Sequence, residues 1–264
     1  MKLDEFKNKI KLKDQNLFII IDDKETSLQM KFSISNDTTL WRAQTLYTKE
    51  PITIQWIRNF KKNSVFFDIG ANVGMYTIFA VIVSQSNVYS FEPESNNFQI
   101  LMENIVLNNL VDKINAYPIC ISDETSMTTL YLSSFIKGQS HHMVGKSLDH
   151  NLQSKLSKIK QGVFSTTLED LIDKWNFPMP NYLKIDVDGI EYKIIKKSKK
   201  LLKNKNLYSI LIEINPNREK DNEIIETLLR YGFVFDKQQV TKSTKKTGKH
   251  KGYAEYLFFR EKSI

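Results

Sequence analysis

The chain has 264 residues, 41% of them hydrophobic and 26% charged, which suits one large domain or two small ones with an ordinary core and excludes a disordered segment, a collagen or a coiled-coil rod. The formal charge is +8 and is unevenly placed: residues 193 to 264 hold 18 Lys/Arg against 8 Asp/Glu, leaving the first 192 residues about neutral. A single cysteine, Cys120, excludes an intrachain disulfide framework and a cysteine-built zinc site and points to the cytoplasm, and no apolar run is long enough to span a membrane.

In chain order, residues 17 to 34 read as a β-hairpin: LFIII, a DDKE turn, then SLQMKFSI with alternating polarity. We assign residues 1–50 to an N-terminal accessory region and 51–264 to the main domain. Glu50-Pro51 introduces a short helix through Ile54, Ile57 and Phe60. Strand-like and helix-length segments then alternate: VFFDIG, a helix to Ser84, VYSFEP, a helix to Asn109, INAYPICIS, and a second short strand TTLYL. A long polar stretch follows, and residues 133 to 162 form a candidate substrate lid. Next come the helix TLEDLIDKW, NYLKIDV, a lysine-rich helix, YSILIEI, the helix NEIIETLLRYG, FVFDKQQV as a strand, a Gly/Lys-rich loop and YAEYLFFR. This alternation predicts an α/β fold, a mostly parallel sheet covered on both faces, whose last two strands are joined by a loop without a helix and run antiparallel.

Three strand ends carry the chemistry. In VFFDIGANVG (65–74) an apolar strand breaks at Asp68-Ile69-Gly70 and a helix begins near Val73, so a ligand can approach a glycine turn and free helix-start amides. The pattern D-x-G-x-N-x-G puts Asn72 where a dinucleotide fingerprint has its central glycine, which suits a cofactor without a pyrophosphate. Glu92 ends the next strand 22 residues after Gly70, placed to accept both hydroxyls of a ribose. In KIDVDGIE (184–191), Asp186 and Asp188 project on one face of a strand end. Asp186 there could orient a cationic cofactor, hold a metal or take a proton, and Asp188 with a solvated Glu191 could equally be a helix cap.

DIGANVG, SFEPESNNFQILMENIVLNN, TTLEDLI, LKIDVDGIE and LIEINP stand in an order that resembles the FkbM family of S-adenosylmethionine-dependent methyltransferases, from about Trp41 to Phe259. The resemblance implies a class I methyltransferase Rossmann-like fold, seven strands with the last antiparallel. It also implies cofactor contacts by Asp68, Gly70, Asn72, Gly74 and Asp186 at the methionine end, Glu92 on the ribose, Ser122 and Asp123 at the adenine, and Glu50 toward the amino group.

The activity implied is O-methylation of a carbohydrate or other small hydroxylated metabolite; the alternative is an RNA or protein methyltransferase that uses the lysine-rich segments. Methyl transfer to a hydroxyl needs a base, and the candidates are Asp186, Glu213, His141 and His142. Magnesium on Asp186 and Glu213 would lack a companion acid, since Ile214 and Asn215 follow Glu213, and no metal site is assigned. Trp41, Arg42 and Trp56 read as packing residues. The lysines of 193 to 205 read as a solvated face, whereas Lys245, Lys246 and Lys249 sit on a loop placed to favour an anionic acceptor.

Overall fold

The computed structural model describes residues 10–13, 16–145, 159–248 and 251–260. The N-terminal part is a three-stranded antiparallel meander, β1 (Ile10–Lys13), β2 (Asn16–Asp22) and β3 (Gln29–Ser33), one strand more than the hairpin expected. It is fastened to the main domain by helix α4 (Ser95–Leu107): Asn104 Oδ1 accepts from the Ser33 amide at 2.7 Å, and Asn108, just past the helix, bonds both backbone groups of Lys31. A helix not expected from sequence, α1 (Asp37–Gln44), follows the meander, capped by Asn36 and Thr39 in a reciprocal box. Next comes α2 (Pro51–Arg58).

The central sheet is built from β4 (Val65–Ile69), β5 (Asn87–Phe91), β6 (Ile114–Tyr117), β11 (Tyr182–Ile185), β12 (Ser209–Ile214), β13 (Phe233–Phe235) and β14 (Ala254–Arg260). Their order is β13-β14-β12-β11-β4-β5-β6, with β14 antiparallel to both neighbours and the other pairings parallel. This is the class I methyltransferase arrangement expected. β4 and β11 are buried almost throughout because helices cover both faces, so their apolar residues run on without alternation. Helix α3 (Met75–Ser84), α2 and α4 cover one face, together with β2 and β3. The other face is covered by α5 (Leu168–Asp173), α6 (Glu191–Lys196), α7 (Lys199–Lys203) and α8 (Glu219–Arg230). Trp56 belongs to the first of these layers, its indole N–H donating to Ser209 Oγ at 2.7 Å. The order in which the chain adds strands reverses between the parallel neighbours β4 and β11, which opens a crevice at their C-terminal ends.

Three local expectations are corrected. The stretch after β8 (Ser126–Leu132) is not wholly irregular, because β9 (Met143–Val144) and β10 (Ile159–Thr166) join β8 and β7 (Cys120–Ile121) in a second, four-stranded sheet. Of the candidate lid, residues 146–158 lie outside the described residues. The strand at FVFDKQQV stops at Phe235; Asp236 accepts from the Gln238 amide and starts helix α9 (Lys237–Ser243), so the last antiparallel connection does contain a helix. The lysine-rich segment is two short helices, and Lys196, Lys197, Lys199, Lys200, Lys203 and Lys205 are all exposed. Among the described residues no helix is long and apolar enough to cross a membrane.

Candidate functional site

A cavity of about 310 Å³ lies over the C-terminal ends of β4, β5, β11 and β12. Its floor is the glycine turn. Gly70 has φ +80°, and a Cβ there would stand 1.9 Å from the Asp186 carbonyl oxygen, so only glycine lets the β4 and β11 loops approach this closely. The turn's amides are not free as the sequence suggested. Gly70 and Ala71 donate to the Phe91 carbonyl at 2.9 and 3.1 Å, Val73 to the Asn72 side chain, and Gly74 to the Ala71 carbonyl. The turn thus supplies shape rather than an anion nest.

The Asn72 amide donates to Glu92 Oε2 at 2.8 Å, and the Glu94 amide donates to Oε1 at 2.9 Å, which holds the Glu92 carboxylate at the cavity wall beyond β5. Burial pushes this carboxyl up to about 7, against the two amide hydrogen bonds that favour its ionised form.

The expected residues do not all reach the cavity. Glu50, Gly70, Asn72, Glu92, His141, His142 and Asp186 line it. Asp68 lies beneath the turn at 1% exposure, with Oδ2 accepting from Thr77 Oγ1 at 2.6 Å, Oδ1 without a hydrogen-bond partner among the described residues, and its carboxyl raised by burial. Gly74 packs α3 on α4; a Cβ there would meet Leu101 Cδ1 at 2.4 Å. Ser122 and Asp123 stand outside the lining, where Asp123 receives the Ser122 hydroxyl and pairs with Lys193 at 3.3 Å, while Ile119, Cys120 and Ile121 form the adjacent wall. The Cys120 thiol is buried and unreactive, its pKa pushed up to about 12.

Opposite that wall is a charged cluster. Lys184, 4% exposed, stands 2.9 Å from Asp186 Oδ2, 4.0 Å from Glu50 Oε2 and 5.2 Å over the Tyr76 ring. Burial would raise the Asp186 carboxyl, but the Lys184 ammonium outweighs it and holds the group well below the usual range. Glu50 precedes α2 without capping it and pairs with Lys49. Glu213 pairs with Lys245, and burial followed by Asp186 pushes its carboxyl up. Both carboxylates considered for magnesium are therefore engaged by lysines, and among the described residues no group of three His, Cys, Asp or Glu is arranged to hold a metal ion. Of the three loop lysines, Lys245 lines the cavity, Lys246 does not, and Lys249 lies outside the described residues.

The roof is the segment 138–142. The Gln139 carbonyl accepts from Asn72 Nδ2 and Asn97 Nδ2, both at 2.9 Å, and the Gly138 amide donates to Asn97 Oδ1 at 2.7 Å. The His141 amide donates to Asp188 Oδ2 at 2.6 Å, and its ring Nδ1 donates to Oδ1 at 3.1 Å. Asp188 is therefore a tie between roof and strand end, not a helix cap. His142 is buried; its Nδ1 accepts from the Ser133 amide at 3.2 Å and burial lowers its pKa, so its Nε2 carries the proton. Glu191 is buried rather than solvated: it receives the Val187 and Gly189 amides, and desolvation pushes its carboxyl up to about 8.

Two residues expected to serve packing alone also line the cavity. Trp41, 46% exposed, and Arg42 project from α1, and Arg42 Nε donates to the Gly138 carbonyl of the roof. The only local signal for this placement is the Asn36 cap that starts the helix; what aims it is the bond from Asn36 Nδ2 to the Lys137 carbonyl, 101 residues away.

Residues 68–235 match the family described as "Methyltransferase FkbM domain". The chain is 20% identical over 191 residues to the hexuronic acid methyltransferase AglP of Haloferax volcanii, covering 70% of each protein. Among solved structures, the methyltransferase FkbM of Methylobacillus flagellatus KT aligns over 86% of this chain with a TM-score of 0.49 and 13% identity; this chain spans 56% of that one. The precorrin-6y C5,15-methyltransferase of Geobacter metallireducens GS-15 aligns over 91% of this chain and 96% of its own, with a TM-score of 0.48 and 13% identity.

Proposed function

The chain belongs to the FkbM methyltransferase family, and on that premise we propose that it is an S-adenosylmethionine-dependent O-methyltransferase acting on a hydroxyl of a carbohydrate, with an acidic sugar as the favoured class. The observation that carries the cofactor reading is the Glu92 carboxylate, fixed by two amides at the end of β5 beside the glycine turn, where it can receive two ribose hydroxyls. The donor set fits such a group: the apolar wall of Ile119 to Ile121 suits an adenine, and the Gly70–Asn72 turn and Asp186 leave room for the sulfonium end. When bound, the cofactor supplies an electrophilic methyl on a sulfonium.

The acceptor half supports the sugar reading. It is lined by Trp41, Lys49, Glu50, Glu213 and Lys245, an aromatic face among charged hydrogen-bonding groups rather than an apolar slot. AglP acts, by its name, on a hexuronic acid. None of the lysines of 193 to 205 lines the cavity, which favours a small acceptor over a polyanion read along that run.

His141 is the proposed base. Its Nδ1–H faces a carboxylate, Asp188, so the imidazole is oriented and its second nitrogen is the basic one. Asp186 is a poor proton acceptor because Lys184 keeps it ionised, and it serves instead to position positive charge or a hydroxyl. His142 has already spent its basic nitrogen on the Ser133 amide.

Calorimetry with S-adenosylhomocysteine, followed by methyl transfer to a panel of neutral sugars and uronic acids, tests the reading; absence of binding would overturn it. A pH series adds a sharper check. With the free Glu92 carboxyl near 7 and its ionised form needed to accept ribose hydroxyls, binding should strengthen as pH rises from 6 to 8, by about tenfold. Glu92→Gln should bind more weakly and lose this slope; a flat wild-type series would remove Glu92 from the ribose.

A further inference from the structure

We propose that Arg42, on α1, is the residue that holds the carboxylate of the cofactor's amino-acid end, an inference that rests on the cofactor reading above. Arg42 lines the main cavity and also a narrow cleft that opens from it over the glycine turn, in the company of Gly70, Ala71, Asn72, Tyr76 and Asp186. With the ribose fixed at Glu92 and an apolar wall at Ile119–Ile121, this cleft is the end of the cavity away from the base and therefore the amino-acid end.

The guanidinium there is poised but not paired. It is partly buried, its Nε is committed to the Gly138 carbonyl, and among the described residues it makes no ion pair with any carboxylate. Burial disfavours its charge; Asp186, Glu50 and Glu92 support that charge through space without pairing with it, and a bidentate anion facing its two terminal nitrogens would add a direct partner. The other cations of the cavity are already matched, Lys49 to Glu50, Lys184 to Asp186 and Lys245 to Glu213. Asp186, in the same cleft, in turn suits the cofactor's ammonium, so the cleft presents one unpaired fork for one carboxylate.

The bond to Gly138 gives the arrangement a second role, since the same side chain that would hold the cofactor also holds the roof. A structural role alone must therefore be separated from recognition. Two probes do so: S-adenosylhomocysteine, which carries the amino-acid group, and 5′-methylthioadenosine, which keeps adenine, ribose and sulfur but lacks it.

By calorimetry, Arg42→Ala is expected to weaken S-adenosylhomocysteine binding by roughly 10- to 100-fold, the loss of a charge-assisted bidentate contact, while 5′-methylthioadenosine binds as it does to the wild type. Arg42→Lys, which keeps the charge without the fork, should fall between. An equal loss for both probes would make Arg42 a roof support only, and no loss for either would turn it toward the acceptor; each overturns the proposal. Failure of the unaltered protein to bind S-adenosylhomocysteine would overturn the cofactor reading itself, which these variants do not address.

Discussion

His141→Gln is expected to lower kcat by about 10²- to 10⁴-fold, the usual contribution of a positioned base, while S-adenosylhomocysteine binds unchanged. The split between rate and binding is the informative part. His141 reaches the cavity from a left-handed backbone position, φ +66°, and both its amide and its ring are held by the Asp188 carboxylate. Gln fills similar space and can still face Asp188, but it cannot take a proton. Asp188→Asn should also lower kcat, because an amide no longer fixes which ring nitrogen carries the proton. A His141→Gln enzyme that keeps wild-type turnover would transfer the role to Glu213, whose carboxyl is raised by burial and lines the same cavity.

Lys184→Met is expected to have the largest effect on stability, about 3 kcal/mol by urea denaturation. Removing one partner of a buried pair usually costs about 3–5 kcal/mol; the lower end applies because Asp186 retains 34% of its side-chain exposure. Lys184 is the ammonium around which Asp186, Glu50 and Asp68 gather, and they push its pKa well above the usual lysine range against the opposing effect of burial. Methionine matches the length of the stem and leaves those carboxylates uncompensated. Adding Asp186→Asn to the same chain should recover part of the loss, since the amide needs no counter-ion; strictly additive losses would mean that the two groups do not interact.

The parts of the site that could be read from sequence share a physical origin. Gly70, Asn72, Glu92 and Asp186 each stand at the C-terminal end of a buried parallel strand, where an apolar run breaks at a glycine, a proline or an acid, and the fold then brings neighbouring strand ends together. The pattern did not reveal which of the motif's groups face inward: Asp68 alternates to the far side of β4, and Ser122 and Asp123 turn toward Lys193. Strand β10 is hidden in the sequence because its first half, Lys160, Gln161 and Gly162, reads as a polar loop. At the other end of the chain, Val240 extended the apparent strand past Phe235, and the signal against it is the cap at Asp236.

The roof falls inside the stretch singled out as a lid, but Trp41 and Arg42 were not legible as cavity residues at all. No periodicity marks them, because they arrive at the cavity through contacts with residues about 100 positions away, Asn36 with Lys137 and Arg42 with Gly138.

Helix α1 lies upstream of the segment, 68–235, that matches the family model. One wall of the cavity, Trp41 and Arg42, is consequently supplied from outside that segment. On the proposed reading, a substitution at Trp41 would change the face offered to an acceptor without touching Glu92 or the Gly70 turn.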